Sequence, residues 1–301
     1  MPKGRVPKGS IPFGTIPKGS IPNGTVGREA QVDETTARKL SRLTWLFYEQ
    51  VSPSFSQTRQ APWPGWDTVL DIALSANLQA RQDSYHLLDL ACGNLRFERY
   101  CAERMQEQLQ GAVPDVRQPL VVAHALDDCD ALVEEGSVEG SLVQVRYRHL
   151  DIAEELFAGH DLASRLGVES CDLSVCFGFM HHLALPEHRV RVLEALVRAT
   201  RPGGYVALSL WQLSNSARLL SKARATTASA CAQLGIEGFG QGDYLLGWQD
   251  CTDVWRYCHD FSEDEVADLL LAVGDRACEV ARFSADGATG NLNRYLVLQV
   301  R

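Results

Sequence analysis

The segment "HLLDLACGNLRF", residues 86–97, combines one acid with a run of small residues directly after an apolar stretch. A turn of this kind between a strand and a helix usually holds a nucleotide-like cofactor. Dinucleotide sites use G-x-G-x-x-G there, because the backbone must approach a pyrophosphate closely. The same places here hold Ala91, Gly93 and Arg96, and Arg96 is too bulky for that approach. The segment therefore argues against NAD and favours a cofactor without phosphate, with Asp89 matching an amino group.

Two adjacent histidines, His181 and His182, are the second feature with residue types suited to chemistry. Neighbouring residues point in different directions, and no cysteine or acid lies at ligand spacing from them in the sequence. The sequence therefore predicts no metal site. We expect one of the pair, taken as His181, to face the active site and the other to pack against or cap the following helix.

Strand and helix patterns alternate along the chain from residue 86 onward. The predicted strands are "HLLDLA", "PLVVAHAL", "LVQVRYRHLD", "CDLSVCFGFM" and "GGYVALSLW", with helical segments after the first four. Such alternation specifies a parallel sheet with helices on both faces. A helix is predicted at residues 262–274, and "RACEVARFS" and "NRYLVLQV" after it form a β-hairpin, because only a short polar link separates them.

The N-terminal part of the chain precedes this alternating region. Apolar spacing predicts one helix from Asp33 to about Gln50 and another from Trp66 to Gln79, and two prolines and a glycine exclude regular structure at residues 55–66. Residues 1–30 repeat a Pro-x-Gly unit with a single β-branched residue, which cannot build a core, so they are predicted to be a disordered low-complexity tail. This tail is either a simple repeat expansion or a cationic arm for RNA or a partner. The globular domain is predicted at residues 31–301.

A parallel sheet of five strands with an antiparallel pair at its end resembles the arrangement of class I S-adenosylmethionine-dependent methyltransferases. Their cofactor motif, D-x-G-x-G-x-G, is matched by Asp89, Ala91, Gly93 and Leu95. Ala91 and Leu95 depart from glycine, and Leu95 either narrows the pocket or packs against the sheet. The resemblance implies a Rossmann-like α/β fold with a seven-stranded, mostly parallel sheet, a C-terminal antiparallel hairpin, and S-adenosyl-L-methionine as the cofactor.

The resemblance also implies where the rest of the cofactor site lies, because ligands of such folds bind outside the carboxyl ends of the strands. The family's acid for the ribose hydroxyls falls near Ala125 here, so Asp127 or Asp128 is expected to substitute for it. Asp151 and Ile152 resemble the pair that meets the adenine. The cofactor residues implied are Asp89, Ala91, Gly93, Asn94, Asp127, Asp151, Ile152 and Phe177.

Two further stretches, residues 48–64 and 242–266, resemble the signatures of the tRNA wobble-uridine carboxymethyl methyltransferases. The first signature, F-S-x-T-R-x-x-P-W-P, is matched by Phe55, Ser56, Thr58, Arg59, Pro62, Trp63 and Pro64. The second, G-D-x-x-x-x-W followed by R-Y-Y-H-x-F, is matched by Gly242, Asp243, Trp248, Arg256, Tyr257, His259 and Phe261. Gly247 and Cys258 depart from the family's proline and second tyrosine. The resemblance covers roughly residues 45–300, with one signature on each side of the cofactor core.

The function implied is methylation of the carboxylate of 5-carboxymethyluridine at the wobble position of tRNA, which gives a methyl ester. A carboxylate is already ionised at neutral pH, so this reaction needs no general base. Arginine suits the binding of a carboxylate because its fork is bidentate. The predicted catalytic residues are Arg59 and Arg256 as carboxylate binders and His181 and His259 as hydrogen-bond donors. The predicted substrate-binding residues, which would stack the flipped-out base, are Trp63, Trp248 and Tyr257. Structural ion pairs and core packing are the alternative roles for these side chains.

The charge of the chain is unevenly distributed. The net charge is −9, and residues 1–28 hold five cations and no acid, so the remainder carries about −14. An acidic body opposes broad nonspecific binding to nucleic acid, which requires neutralised phosphates. Eukaryotic relatives use a small zinc-binding activator subunit, so the resemblance implies such a partner beside tRNA.

The nine cysteines include no Cys-x-x-Cys pair, which favours a reduced, cytoplasmic location. The sequence shows no membrane-length apolar run and no secretory signal pattern. Two alternative functions stay open at this point. One is a methyltransferase of the same fold that acts on a small carboxylic acid or other metabolite, which the acidic surface favours. The other is a noncatalytic methyltransferase-like subunit that binds the cofactor poorly because of Leu95.

Overall fold

The computed structural model describes residues 32–77, 84–109, 121–134, 136, 138, 143–249, 251 and 253–301. The predicted tail at residues 1–30 lies outside them. The strands are β1 (Tyr85–Leu90), β2 (Val121–Asp127), β3 (Val143–His149), β4 (Cys171–Cys176), β5 (Thr200–Trp211), β6 (Asp243–Gly247), β7 (Trp255–His259), β8 (Ala277–Ala285) and β9 (Asn293–Val300). The helices are α1 (Glu34–Gln57), α2 (Gly65–Asn77), α3 (Arg96–Leu109), α4 (Asp130–Glu134), α5 (Ile152–Phe157), α6 (Leu162–Leu166), α7 (Pro186–Ala199), α8 (Ala217–Leu234) and α9 (Glu263–Val273). Short 3-10 helices lie at Met180–His182 and Leu213–Asn215.

Seven of these strands form one mixed sheet in the order β3–β2–β1–β4–β5–β9–β8. The first five are parallel, β9 runs antiparallel to β5, and β8 pairs with β9 as the predicted C-terminal hairpin. Because β1, β2 and β4 run in the same direction, they end at one edge of the sheet, at Leu90, Asp127 and Cys176. The predicted fold class is therefore observed, and that edge is where a ligand is expected.

Helices cover both faces of the sheet, as the apolar strands require. Leu87 of β1 lies in a core with α2 and α3, represented by Leu70 and Phe97. Leu88, the next residue, points to the opposite face and lies in a core with α7 and α9, represented by Leu196. This alternation fixes the register of β1, so the loop after Leu90 starts from a rigid strand.

Helix α1 is longer than the sequence predicted. Asp33 caps its first turn, with its carboxylate accepting from the backbone N–H of Thr36 at 2.6 Å. The helix continues through Pro53 to Gln57, instead of ending near Gln50. Pro53 lacks an N–H and leaves the carbonyl four residues earlier without its helical partner, but both Pro53 and Glu49 are exposed, so solvent can satisfy that carbonyl. The predicted irregular segment is therefore shorter.

Strands β6 and β7 form a separate antiparallel ribbon that the sequence analysis did not predict. The ribbon lies between β5 and α9 in the chain and packs on α1 and α8, with Leu40, Ala230 and Leu245 in one buried cluster. The backbone N–H of Tyr257 donates to the Thr44 hydroxyl at 3.0 Å. The ribbon therefore brings the second signature segment against the helix that carries the first.

In the described part of the chain, no helix is both long and apolar enough to cross a bilayer. The predicted cytoplasmic location stays a prediction.

Candidate active site

A cleft of about 1060 Å³, partly open to solvent, lies at the carboxyl ends of β1, β2 and β4. The side chains around it come from the cofactor-type loop, from α1 and from the ribbon, so both signatures and the central motif meet there. Of the predicted site residues, those that line the cleft are Arg59, Trp63, Asp89, Ala91, Gly93, Asn94, Asp127, Ile152, Phe177, His181 and Arg256. Asp151, Trp248, Tyr257 and His259 lie outside its lining.

The loop after β1 keeps the backbone of a glycine loop although it has one glycine. Ala91, Gly93 and Leu95 all have positive φ, at 66°, 55° and 54°. For a residue with a Cβ, the left-handed conformation costs about 1–2 kcal/mol. The loop is held there by the end of β2, because the N–H of Ala91 donates to the Leu126 carbonyl at 2.8 Å and that of Gly93 to the Asp127 carboxylate at 2.8 Å.

Leu95 does not fill the cleft. Its side chain packs with Cys92 and Ala125 in a small buried cluster, and it is absent from the cleft lining. A Cβ on Gly93 would meet no atom within 4 Å, so the space in front of the loop is open. The departure from the third glycine therefore changes packing beside the sheet and leaves room for a ligand, which removes the argument for a noncatalytic subunit.

The strained loop leads to a testable prediction about stability. Ala91→Gly relieves the strain of the left-handed backbone, which stabilises the folded state. It also raises the conformational entropy of the unfolded chain, which destabilises the folded state, so the free energy of unfolding should change by less than about 1 kcal/mol. Ala102→Gly, the matched control inside α3, should lower it by about 1 kcal/mol, because glycine is disfavoured in a helix. Urea unfolding of both variants makes the comparison. An equal loss in the two variants would contradict the strain at Ala91.

Acidic side chains form one wall of the cleft. Asp89 is 2% exposed, and burial and the neighbouring carboxyl of Glu98 hold its pKa well above the usual range. The Oδ1 atom of Asp89 has no hydrogen-bond partner in the described structure. Asp128 lines the cleft, and burial, Asp127 and Asp151 raise its pKa to about 7. These carboxyl groups fit the positive sulfonium and ammonium and the ribose hydroxyls of S-adenosylmethionine.

Two of the predicted cofactor residues, Asp127 and Asp151, have structural partners of their own. Asp127 accepts from the backbone N–H groups of Gly93 and Cys129 at 2.8 and 2.9 Å, so it holds the loop and leaves Asp128 as the freer acid for a ribose. Asp151 caps α5 by accepting from the Glu154 N–H at 2.8 Å, outside the cleft.

The side chain of Asn94 ties the loop to the N-terminal segment. Its amide donates to the Ser56 hydroxyl at 2.9 Å and to the Arg59 carbonyl at 3.2 Å. Asn94 therefore couples the cofactor loop to the segment that carries Arg59.

A second group of cleft-lining residues carries cations and is called the cationic wall. Arg256 is 7% exposed, and its guanidinium lies over the rings of Phe47 and Phe55 at 4.9 and 5.6 Å. Its Nη1 donates to the Tyr48 hydroxyl at 3.0 Å, but its Nε has no partner, and no carboxylate of the described residues forms an ion pair with it. Burial and the charge of Arg256 lower the pKa of Arg59, which lines the same cleft. The wall therefore holds a buried positive charge without a protein counterion.

A hydrogen-bond chain orients this cation. His182 Nδ1 lies 2.6 Å from the Tyr257 carbonyl oxygen, which accepts only, so Nδ1 carries the proton. His182 Nε2, at 2.9 Å from the Tyr48 hydroxyl, is then the acceptor. Tyr48 consequently donates to His182 and accepts from Arg256. His182, expected only to pack or cap, therefore holds the cationic wall of the cleft in place.

The same histidines form the one group in the described residues whose spacing suits a metal: His181, His182 and Cys258. No cysteine lies at ligand spacing from the two histidines in the sequence, and the ribbon brings Cys258 to them from 76 residues away. Both ring nitrogens of His182 are already used, so a metal would have to break the chain from Arg256 to Tyr257. We assign this group to the hydrogen-bond chain.

His181 lines the cleft as predicted, and its ring lies 4.5 Å from that of Trp211. Burial, followed by the nearby His182 and Arg256, holds the pKa of His181 well below its usual range. Burial and Arg256 lower the pKa of His182 to about 3. Both rings are therefore neutral at pH 7, and neither is a strong base.

The other predicted donor and stacking residues of the second signature have structural contacts. His259 lies between two carboxylates, with Asp243 at 2.8 Å from Nδ1 and Glu265 at 2.7 Å from Nε2. The Tyr257 hydroxyl donates to Asp243 at 2.5 Å, and Tyr257 is fully buried. The indole of Trp248 donates to the Ser54 hydroxyl at 2.9 Å. These residues hold the ribbon in place, and the proposal below gives them no contact with substrate.

The placement of His259 predicts how stability depends on pH. Burial alone would lower the pKa of His259, but the hydrogen bonds that its ring donates to Asp243 and Glu265 outweigh burial and raise that pKa. The protonated ring therefore stabilises the fold fully below about pH 6.5, and this contribution is lost as the pH rises through the raised pKa. In His259→Gln, thermal unfolding from pH 6 to 9 should lose this dependence, and turnover should fall less than about threefold. A loss of turnover without a change in stability would place His259 in the reaction.

An aromatic side closes the cleft above the cofactor loop. Trp63 lies against Gly178, where an added Cβ would meet its ring at 3.1 Å. The guanidinium of Arg96 lies 5.0 Å from the rings of both Trp63 and Trp66, and its Nη1 donates to the Ala61 carbonyl at 3.2 Å. Arg96, which argued against a dinucleotide, therefore holds the predicted stacking residue in place.

Sequence reasoning missed Tyr48, Phe55, His182 and Trp211 as cleft residues. Tyr48 and Phe55 are seven residues apart, which puts them on one helix face, and their rings meet at 5.2 Å. The signal was present, but ending α1 near Gln50 hid it. The sequence gives no comparable signal for Trp211, which reaches the cleft at the end of β5.

The fold and the cleft define the class to which the chain is similar. The 1,6-didemethyltoxoflavin-N1-methyltransferase of Burkholderia thailandensis, solved with 1,6-didemethyltoxoflavin and S-adenosylhomocysteine, aligns with a TM-score of 0.52 at 15% identity. The alignment covers 91% of this chain and 93% of that chain. At this identity the match shows the fold, which is that of class I S-adenosylmethionine-dependent methyltransferases, as predicted.

The sequence comparison is more specific. The matching relatives include three tRNA (carboxymethyluridine(34)-5-O)-methyltransferases: ALKBH8 of Macaca fascicularis at 27% identity, and those of Arabidopsis thaliana and Saccharomyces cerevisiae at 25%. The matches cover 60%, 54% and 59% of this chain, and 22%, 31% and 50% of the relatives. The chain thus spans half or less of the length of these relatives. No protein-family model matches it. The predicted resemblance to this family is confirmed, at modest identity.

Proposed function

We propose that the chain uses S-adenosyl-L-methionine to methylate the carboxylate of 5-carboxymethyluridine at the tRNA wobble position. One observation carries the proposal most strongly: Arg256 is a buried cation that lines the cleft without a carboxylate partner among the described residues. A buried charge of this kind is costly unless something pairs with it. A substrate carboxylate would supply that pair. The relatives named above support the choice of substrate.

The proposed reaction matches the protonation state of the cleft. S-adenosylmethionine supplies a methyl group bound to a positively charged sulfur. A carboxylate oxygen forms the new bond to the methyl carbon while the carbon–sulfur bond breaks and its electron pair stays on sulfur. No proton moves, so no base is required. The neutral His181 and His182, whose pKa values are lowered by burial, agree with a nucleophile that arrives ionised.

The chain's residues then have separate tasks. Asp89 and Asp128 face the cationic and ribose parts of the cofactor, next to the open space at Gly93. Arg256, oriented by Tyr48, and Arg59 hold the substrate carboxylate, which fixes the angle of approach. Trp63 offers a flat face at the cleft for the uracil ring.

The distribution of surface cations supports an RNA substrate despite the acidic body. Residues 35–48 of α1 and the segment 213–236 around α8 together hold six cations and no acid. One of the six, Arg38, is paired with Glu34 at the start of α1 at 2.9 Å. Arg38, Lys39 and Arg42 line a groove with Leu234 and Ile236, so the two helices share a surface there. Binding to a phosphate backbone depends on such a local band of cations more than on a positive net charge of the whole protein.

A charge reversal on α8 tests this surface. Arg218 and Lys222 are exposed and one helical turn apart, and the double change of both to glutamate should raise the KM for tRNA about 10-fold or more at physiological salt. The KM for S-adenosylmethionine should not change. The control is the same double change at Arg146 and Arg301, two exposed cations elsewhere on the protein. Equal effects on KM from both pairs would show that only net charge matters.

A second candidate function uses the same wall of cations. A small carboxylic acid or other metabolite would also pair with Arg256, and the acidic surface outside the band favours such a substrate. The band on α1 and α8 would then have no role in catalysis, so the α8 charge reversal would leave turnover unchanged.

The test of function uses the purified chain with methyl-labelled S-adenosylmethionine. The substrates are an anticodon stem-loop RNA with 5-carboxymethyluridine, the same RNA with uridine, the free nucleoside and a panel of small carboxylic acids. We expect label on the first RNA as a base-labile ester, found by nucleoside mass spectrometry. Transfer to small acids alone would overturn the RNA substrate. The activator subunit stays a prediction. If the chain alone shows a low turnover number, adding that subunit to the assay tests the prediction.

A further inference from the structure

A second buried carboxyl lies behind Asp89. Glu98, in the first turn of α3, is 0% exposed, and neither of its carboxyl oxygens has a hydrogen-bond donor in the described structure. The Oδ1 atom of Asp89 also lacks a donor. No cation of the described residues forms an ion pair with either group. Two buried carboxylates side by side would be strongly destabilising, so the pair requires another arrangement.

Asp89 lies on the same side of β1 as Leu87, which packs against α3, the helix that carries Glu98, so the two buried carboxyl groups share one region in which neither finds a donor. A carboxylate only accepts, so this arrangement requires a proton on one of them. The charged and titratable groups around the pair are Asp127 on β2, which repels a second negative charge, and Arg99 on α3, which attracts one. The neighbouring thiols of Cys92, Cys101 and Cys176 have pKa values raised by burial and are neutral.

We propose that Glu98 is a positioning residue for the cofactor: it shares one proton with Asp89 in the free protein, and this proton leaves when the cofactor's positive groups bind beside Asp89. The inference rests on the proposed cofactor. Asp89 lines the cleft and Glu98 does not, so Glu98 acts only through its neighbour.

The protonation behaviour of the pair agrees with this role. Burial raises the pKa of Glu98 to about 7, and burial and Glu98 together hold the pKa of Asp89 well above its usual range. The pair therefore retains its proton at neutral pH in the free protein. A cation at Asp89 favours the ionised form and lowers these values, so binding releases a proton.

The consequence is an affinity that depends on pH with a defined sign. Below the pKa of the free pair, the affinity for cofactor should rise by up to about tenfold per pH unit, because binding must expel a proton. Above that pKa the affinity should level off. The affinity should be measured between about pH 5.5 and 7.2, because the pKa of the cofactor's own amino group is about 7.7.

The test is calorimetric titration of the full chain with S-adenosylhomocysteine at pH 6.5, in two buffers with different enthalpies of ionisation. The difference in observed heat gives the number of protons released. For the unchanged protein we expect a release of between about one half and one proton. In Glu98→Gln the amide donates to Asp89 and keeps it ionised, so release should fall to near zero and affinity at pH 6 should rise up to about tenfold. Glu103→Gln, exposed on the same helix, is the control and should behave like the unchanged protein.

The possible results separate this inference from the proposed function. Binding without proton release in the unchanged protein, or equal release in Glu98→Gln, would overturn the shared proton and leave the methyltransferase proposal intact. If the unchanged protein does not bind S-adenosylhomocysteine or S-adenosylmethionine at all, the proposed function fails and the inference fails with it. Thermal unfolding of Glu98→Gln shows that the variant is folded before its heats are interpreted.

Discussion

Replacing Arg256 with methionine is expected to lower the turnover number about 100- to 1000-fold, because truncating one member of a buried charge pair removes several kcal/mol. Cofactor affinity should change by less than about threefold, since the charged groups that act on Asp89 are Glu98 and Asp127 and do not include Arg256. The free energy of unfolding should rise by about 1 kcal/mol, because an unpaired buried charge is exchanged for an apolar side chain of similar length. Steady-state kinetics and urea unfolding measure the three quantities.

The turnover number should fall while the free energy of unfolding rises. These opposite signs distinguish a substrate-binding role of Arg256 from a structural one. If stability and turnover fell together, Arg256 would be holding the fold through Tyr48 and the surrounding rings. Tyr48→Phe provides the matched control, since it keeps the ring but removes the hydroxyl between Arg256 and His182. It should reduce turnover about tenfold, because the cation remains but loses its orientation.

Replacing Asp89 with asparagine is expected to weaken cofactor binding about 10- to 100-fold, the range for losing a charge-assisted hydrogen bond. Stability should not fall, because the amide can donate to Glu98 and no proton has to be shared. Arg59→Ala should retain most of the cofactor affinity and lower turnover, because Arg59 belongs to the cationic wall. Calorimetry with S-adenosylhomocysteine compares the two variants. An equal loss of affinity in both would reassign Arg59 to the cofactor.

Local patterns were sufficient for the sheet and for the cofactor-type loop. Strand β1 was predictable because apolar residues fill it on both faces, and the turn after it was marked by Asp89, Ala91 and Gly93. The left-handed backbone at Leu95 was not predictable, because leucine normally avoids it. Only the contacts of that side chain with Cys92 and Ala125 explain why it is tolerated.

The cationic wall depends on contacts between distant parts of the chain. Tyr48 meets His182 across 134 residues and Arg256 across 208. No local pattern specifies such distances. The signature match indicated that Arg256 and His259 matter, but it could not show that one faces the cleft and the other is held by Asp243 and Glu265. That distinction follows from the ribbon of β6 and β7, whose short strands have a weak pattern.

The two walls of the cleft have a consequence for how products leave. In the proposed reaction, methyl transfer removes the positive charge on the cofactor's sulfur and the negative charge on the substrate's carboxylate, since a thioether and an ester are neutral. The amino group of the cofactor product stays charged beside Asp89, whereas Arg256 loses the electrostatic attraction to its partner. The cleft would therefore bind the esterified RNA less tightly than the free acid, so the RNA product would inhibit the enzyme little.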